Sequence, residues 1–382
     1  MRVTLVTETY FPQVNGVSRT LGQLAHALTQ MGDLVQVVHP DYGEPAESDR
    51  VCLVRSTTMP FYPELRLPLP PFGDTLRAIS AFAPDILHVA TEATLGYAAL
   101  RYALDRAIPV VSSFHTNFDQ YADHYGVGWI KGTIWRYLRW FHNAGRETYV
   151  PSRATIADLE GKGLERLVLW PRGVDCRMFR PDRPGREEVR RALGFAPDDV
   201  VILHVSRIAA EKNVAYLGES LAAVAAADTA VRLLVVGDGP ARRELEKTLG
   251  GAARFVGYRT GDDLADHYAA ADLFAFASLT ETFGNVILEA MASGLPVVAL
   301  RCGGPGEIVR PGETGLLIEP GARPPEFAAA VLSLVDDAPR REAMSAAARR
   351  YALSQTWEAI MGDLRERYRS IVEEASTIPV GV

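Results

Sequence analysis

The sequence predicts an α/β protein of two doubly wound domains, each a parallel sheet flanked by helices, facing one another across a cleft. Three observations lead there. Short, near-continuous apolar runs alternate with helix-patterned segments along the chain, as in parallel sheets buried on both faces. The alternation breaks once, at the proline-, glycine- and arginine-rich stretch "LWPRGVDCRMFRPDRPG" (169–185), and then restarts. A length of 382 residues also exceeds what one hydrophobic core usually organises.

Taken in order, the first domain covers residues 1–172. Val3 to Thr7 reads as a buried strand, followed by a loop and a helix with Leu21, Leu24 and Leu28 on one face. Leu34 to His39 is a second strand, and "DILHVA" (85–90) and "IPVVSSFHT" (108–116) supply further β-rich runs. Residues 173–185 read as a linker. The second domain, 186–355, carries "DVVILHVSR" (199–207), "AVRLLVVGDGP" (230–240), "ARFVG" (253–257), "DLFAFAS" (272–278) and "LPVVAL" (295–300), with helices between. The last segment, 356–382, reads as a helix over roughly Thr356 to Ala375 that packs back on the first domain. The cleft is expected because open α/β sheets bind ligands at the carboxyl ends of their strands, and pockets favour domain interfaces.

Composition narrows the function. A formal charge of −7 excludes a general nucleic-acid binder, which needs a basic footprint. Cys52, Cys176 and Cys302 are scattered and odd in number, so they form neither a disulfide framework nor a metal-ligand pattern, which fits a reducing compartment. The N-terminus runs directly into a strand without a signal-peptide core, and no apolar run is long enough to span a bilayer. The expectation is a cytoplasmic enzyme.

The chemistry concentrates at strand ends. "ETFGNVILEA" (281–290) sets Glu281 in a strand-to-helix loop and Glu289 about two turns into the helix that begins near Gly284 to Val286. The amides of such a helix start carry partial positive charge and suit a diphosphate, while the two carboxylates suit hydroxyls. The plainer reading makes Glu281 a helix-terminal charge and Glu289 a solvated one. "VSRIAAEKNV" places Arg207 directly after a strand and Lys212 five residues on, suited to phosphate oxygens or simply exposed to solvent. "VVGDGP" puts Gly237 and Gly239 at another strand end, and Gly16 sits at the first strand–helix turn, positions that allow close backbone approach. His115, at a strand end in "SSFHTNF", reads on its own as a satisfied structural histidine.

Together, "ETFGNVILE" with its E-x7-E spacing, "GDGP", "SRIAAEKN" and "SFHTNF" resemble the retaining glycosyltransferases of family 4, which have the GT-B fold of two Rossmann-like domains. The resemblance covers nearly the whole chain. It implies that Arg207 and Lys212 hold the diphosphate of a nucleotide-sugar donor and Glu289 the ribose. Glu281, with the backbone of Phe283, Gly284, Asn285 and Val286, orients the donor sugar. Gly237, Asp238 and Val256 complete the donor site, the base lying near Phe255 to Gly257, and Gly16 abuts the β-phosphate from the first domain. His115 reaches the donor sugar. No Asp-x-Asp pair occurs in the chain, so transfer without a metal or other cofactor is expected.

At a finer level, "TETYFPQVNGV", "FYPELRLPLP", "PDILHVATEATLG" and "WPRGVD" resemble the branch of that family that glycosylates lipids. That branch implies α-mannosyl transfer from GDP-mannose to a lipid-linked or glycolipid acceptor, with a UDP-sugar donor and a sulfoquinovosyl or glucosyl product as the alternative. A nucleotide-sugar 2-epimerase shares the two-domain fold and is the alternative from a different enzyme class. "GWIKGTIWRYLRWFHNAGRETY" (128–149) fits one helix, with Ile130, Ile134, Tyr137, Leu138 and Phe141 on one side and Lys131, Arg139 and Arg146 on the other. Its residues 129–146 suit either an anionic membrane at the inner face or packing on the domain's own core.

Overall fold

The computed structural model describes residues 1–13, 16–45, 48, 50–59, 62–115, 131–228, 230–279, 281 and 283–377, without the side chains of residues 59, 62–65 and 131. Ile130, Thr280 and the part of "SSFHTNF" beyond His115 lie outside the described residues. The chain divides into unit 1, Met1–Pro171 with Glu358–Val382, and unit 2, Arg172–Trp357.

Unit 1 contains β1 (Arg2–Val6), β2 (Leu34–Pro40), β3 (Val51–Val54), β4 (Ser56–Met59), β5 (Tyr62–Pro68), β6 (Ile86–Val89), β7 (Val110–Ser113), β8 (Thr148–Val150) and β9 (Leu167–Leu169). Seven of these form one parallel sheet in the order β3-β2-β1-β6-β7-β8-β9, while β4 and β5 pair antiparallel on their own. The strands are buried apolar runs because helices cover them: Gly16–Gln30 turns Leu21, Leu24 and Leu28 inward. The helix Trp357–Thr377 buries Ile360, Met361, Leu364, Tyr368 and Ile371. It is fixed to unit 1 by Arg365, whose guanidinium donates to both oxygens of buried Asp33 at 2.5 and 3.2 Å.

Unit 2 contains β10 (Val200–Val205), β11 (Val231–Val236), β12 (Ala253–Gly257), β13 (Leu273–Phe276), β14 (Val297–Leu300) and β15 (Gly315–Ile318). They form a parallel sheet in the order β12-β11-β10-β13-β14-β15. Each unit is thus a doubly wound, Rossmann-like layer of helix, sheet and helix.

Two expectations need correction. Residues 173–185 are not a free linker: Val174, Cys176 and Phe179 are buried in the core of unit 2. Arg349 donates to the carbonyls of Cys176 and Phe179 at 3.0 and 2.8 Å, satisfying a segment that makes no ladder of its own. The prolines and glycines there mark an irregular path, not an exposed one. The helix expected over 128–149 ends earlier, at Asn143 (Lys131–Asn143), and Thr148–Val150 is strand β8. Gly145 lies so close to the sheet that a β-carbon there would meet the Val110 carbonyl oxygen at 3.0 Å, so the helix stops and the β-branched and aromatic residues pair with β7 instead. Of the helix's apolar side, Leu138 and Phe141 are core, whereas Trp140 keeps 40% of its surface exposed.

Candidate active site

In unit 2 the winding reverses between β10 and β13: β11 and β12 build outward on one side, β14 and β15 on the other. The carboxyl ends of strands at such a switch point are where this architecture leaves room for a ligand. Beyond β10 the chain passes Arg207 and makes one tight turn, Ala210–Lys212, closed by Asn213 in the left-handed region. The Asn213 side chain donates to the Ala277 carbonyl just past β13 at 3.1 Å. That bond draws the two strand exits together and sets Lys212 Nζ 2.7 Å from Glu281 Oε2, with each side chain 22% exposed. The Glu281 carbonyl also accepts the Gly304 amide at 3.0 Å, so its loop is held from a third side.

Phe283 and Gly284 lead from that loop into the helix Asn285–Ala292. Gly284 is its N-cap, with φ +93°, a conformation glycine adopts without strain, and it brings no side-chain oxygen to the first-turn amides. Val286 is half-buried and Asn285 exposed. Glu289, on the second turn, accepts the buried Tyr268 hydroxyl at 3.0 Å. Burial, reinforced by the Glu289 charge, raises the Tyr268 phenol well above its ordinary range, so it remains a donor and orients the carboxylate.

The neighbouring strand ends are drawn tight by Gly237. Its φ is +132°, and a β-carbon there would fall 1.9 Å from the Ser206 carbonyl oxygen. Its amide donates to the Gly257 carbonyl at 2.8 Å, tying the ends of β11 and β12 together beside the half-buried Val256. Asp238 accepts the Gly239 amide at 2.8 Å and Arg242 at 2.9 Å, which together hold its carboxyl below the usual range. Arg207 is paired with Glu211 and its side chain is 66% exposed. Lys212 and Glu281 are therefore in contact, Gly237, Asp238 and Val256 lie at adjacent strand ends, and Arg207 stands at the exit of β10.

His204 escaped the sequence reading, although it is the one ionisable residue inside the apolar run of β10. It is fully buried, and its nitrogens meet the Ala275 carbonyl at 3.0 Å and Ser206 Oγ at 2.8 Å. Burial, aided by the Lys212 charge and opposed by the Ala275 bond, lowers its pKa to about 4, so it is a neutral strut between β10 and β13.

In unit 1 the sequence candidates are Gly16 and His115. Gly16 opens the helix Gly16–Gln30, is exposed, and has nothing within 4 Å of where a β-carbon would stand. His115 follows β7, its Nε2 2.8 Å from Ser113 Oγ and its ring 6.0 Å from that of Trp170. Glu8 was also missed. At the reversal between β1 and β6 its buried carboxylate accepts the amides of Ala93, Leu95 and Gly96 at 3.2, 2.9 and 3.1 Å. The start of the helix Thr94–Asp105 is thereby occupied by the chain's own carboxylate, whose pKa burial raises. Among the described residues no helix is long and apolar enough to cross a membrane.

Comparison with known proteins identifies the family and the fold. Residues 14–177 match the family described as Glycosyltransferase Family 4, and residues 199–337 match Glycosyl transferases group 1. The GDP-mannose-dependent alpha-mannosyltransferase of Mycobacterium tuberculosis is 35% identical over 97% of this chain and 97% of its own. The sulfoquinovosyl transferase SQD2 of Arabidopsis thaliana is 34% identical over 97% of this chain and 74% of its own. Among solved structures, HepE of Anabaena, in complex with UDP and glucose, superposes with a TM-score of 0.73 over 97% of this chain and 100% of that one, at 22% identity, a likeness of fold. The two Rossmann-like units are those of a GT-B enzyme, and this chain belongs to the family 4 glycosyltransferases and is a hexosyltransferase.

Proposed function

We propose that the chain transfers an α-mannosyl group from GDP-mannose to a lipid-linked or glycolipid acceptor, with retention of configuration and without a metal. The observation that carries the donor site is the Lys212–Glu281 pair at the switch point of unit 2. A cation and a carboxylate 2.7 Å apart suit two adjacent parts of one donor, the diphosphate and the sugar hydroxyls. Arg207 and the start of Asn285–Ala292 add positive potential for the departing phosphate, the term that speeds such reactions most. Glu289, oriented by Tyr268, takes the ribose diol, and Asp238 and Val256 flank the base. Gly16 and His115 of unit 1 take the β-phosphate and the transferred sugar.

In the reaction the sugar C1–O bond to the β-phosphate breaks and a C1–O bond to the acceptor hydroxyl forms on the same face. The acceptor proton passes to the departing phosphate oxygen. Support for a mannosyl donor comes from the full-length likeness to the mycobacterial mannosyltransferase, and the lipid acceptor rests on the resemblance of "TETYFPQVNGV" and "FYPELRLPLP" to the lipid-glycosylating branch. The near-equal likeness to a sulfoquinovosyl transferase favours a second reading, sulfoquinovosyl transfer, for which the sequence resemblance implies a UDP-sugar donor. Thermal-shift binding with GDP, UDP, ADP and their sugar conjugates separates the two, since a ligand well above its Kd raises Tm by mass action. Stabilisation by GDP and GDP-mannose alone is expected. Stabilisation by UDP-sugars alone overturns the mannosyl donor, and no response to any of them overturns the site.

A further inference from the structure

We propose that Tyr368, on the C-terminal helix, is a positioning residue that sets the tautomer of His115 through His88 and Ser113. The reading of its consequence rests on the role proposed above for His115. Four side chains of unit 1 form a line of hydrogen bonds. Tyr368 Oη is 2.5 Å from His88 Nδ1, His88 Nε2 is 2.8 Å from Ser113 Oγ, and Ser113 Oγ is 2.8 Å from His115 Nε2. Tyr368, His88 and Ser113 are all buried to within 1% of completely, so water does not compete along the line.

The direction of the protons follows from the inventory of donors. Burial pushes the His88 imidazole down to about 3, so it is neutral and has one N–H and one lone pair. Burial, with the Glu147 charge nearby, raises the Tyr368 phenol far above its ordinary range, so it keeps its proton. Among the described residues Tyr368 Oη has no acceptor other than His88 Nδ1, and a buried hydroxyl proton needs one. Tyr368 therefore donates to Nδ1, His88 Nε2–H donates to Ser113, and the single Ser113 proton goes to His115 Nε2. His115 is an acceptor at Nε2, so its own proton sits on Nδ1. Whatever meets Nδ1 is met by a hydrogen-bond donor, which suits a sugar hydroxyl or phosphate oxygen and not the abstraction of a proton. The aromatic rings of Tyr149 and Trp170, 5.7 Å from that of His88, pack its sides and hold the line in register.

The test is two-bond ¹H–¹⁵N correlation NMR of the full chain labelled at histidine, with His115 assigned by its loss in His115→Gln. The wild type is expected to show His115 protonated at Nδ1. Ser113→Ala and the volume-conserving Tyr368→Phe break the line at opposite ends, so one serves if the other folds poorly. Each is expected to shift His115 toward a mixture of tautomers and to lower kcat about tenfold with the donor KM little changed, the usual scale for an outer partner of a functional histidine. A wild-type His115 protonated at Nε2, or one unaltered in both variants, overturns the proposal. Altered tautomers with full kcat refute the link to transfer. If His115→Gln is inactive in that case, the failure belongs to the relay alone; if it too is fully active, the role of His115 falls with it.

Discussion

Lys212 Nζ lies 2.7 Å from Glu281 Oε2, a bond between the loop after β10 and the loop after β13. The pair closes over the point where the unit 2 sheet reverses direction, and three further contacts aim it. His204 ties β10 to the Ala275 carbonyl, Asn213 ties the next turn to the Ala277 carbonyl, and the Gly304 amide holds the Glu281 carbonyl. Both side chains are mostly buried, where a lone charge is costly and a pair is tolerated. The two residues consequently act as one unit.

That unit predicts non-additive mutants. Lys212→Ala should weaken nucleoside diphosphate binding by about 1.5–3 kcal/mol, the scale of a charge-assisted hydrogen bond. Glu281→Gln should lower kcat more than it weakens the diphosphate. Because the partners touch, the double variant should resemble the worse single one instead of their sum. Calorimetric titration of GDP and UDP, together with steady-state kcat, for the three variants reads this out. Fully additive losses would mean the two residues act independently despite their contact, and unchanged affinity in Lys212→Ala would remove it from the diphosphate.

Charge neutralisation by protein groups leads to a second expectation. Activity after exhaustive EDTA treatment and gel filtration should stay within about twofold of the untreated enzyme if, as proposed, Lys212, Arg207 and the helix start replace a cation at the leaving group. Restoration by Mg²⁺ or Mn²⁺ of an activity lost to EDTA would refute this account.

The sequence revealed the fold where one physical signal dominated. Strands such as β13 and β14 are unbroken apolar runs, as burial on both faces favours. It failed at β8 and β9, three residues each, where one turn of helix and one short strand look alike and the choice is made by Gly145 lying against Val110. Candidate site residues were legible because strand ends and helix starts have recognisable neighbours. Their mutual contacts were not. Lys212 and Glu281 are 69 residues apart, and His88 and Tyr368 are 280 apart, so only strand order and the docking of the last helix bring them together. Glu8, in a short polar loop, gave no sign that it would cap a helix 85 residues on.

A membrane role for the helix Lys131–Asn143 now rests on fewer residues. Arg139 is engaged with the Lys162 carbonyl, and Trp135 lies under the Lys162 ammonium at 4.2 Å, so neither is free for lipid. Trp140 and Tyr97 remain, 40% and 45% exposed with rings 5.6 Å apart, beside the exposed Arg136. Arg136→Glu with Trp140→Ala should reduce binding to phosphatidylglycerol vesicles about tenfold, given roughly 1 kcal/mol per basic residue at an anionic surface. Equal sedimentation of variant and wild type with vesicles would assign the patch to something other than lipid.

Stability should fall on mild acidification, and the sign is fixed by two histidines. His88 and His204 are fully buried, and burial lowers them to about 3 and about 4. In the unfolded chain an imidazole titrates near 6.5. Their contribution is therefore complete above about pH 6.5. Below it the unfolded chain binds protons that the folded units refuse, and stability declines toward pH 4 by up to about 1.4 kcal/mol per pH unit for each histidine. Asp33 acts in a lower window. Its burial alone would raise the carboxyl, but hydrogen bonds from Arg365 and the N-terminal ammonium outweigh that and hold it below 3.8, so its share is lost only as pH falls from about 4 through that lower value. Urea midpoints measured from pH 7 to 5 should drop for both units, and His204→Gln should flatten the slope for unit 2 while leaving that for unit 1. Midpoints constant over this range would mean that both imidazoles take up protons within the fold.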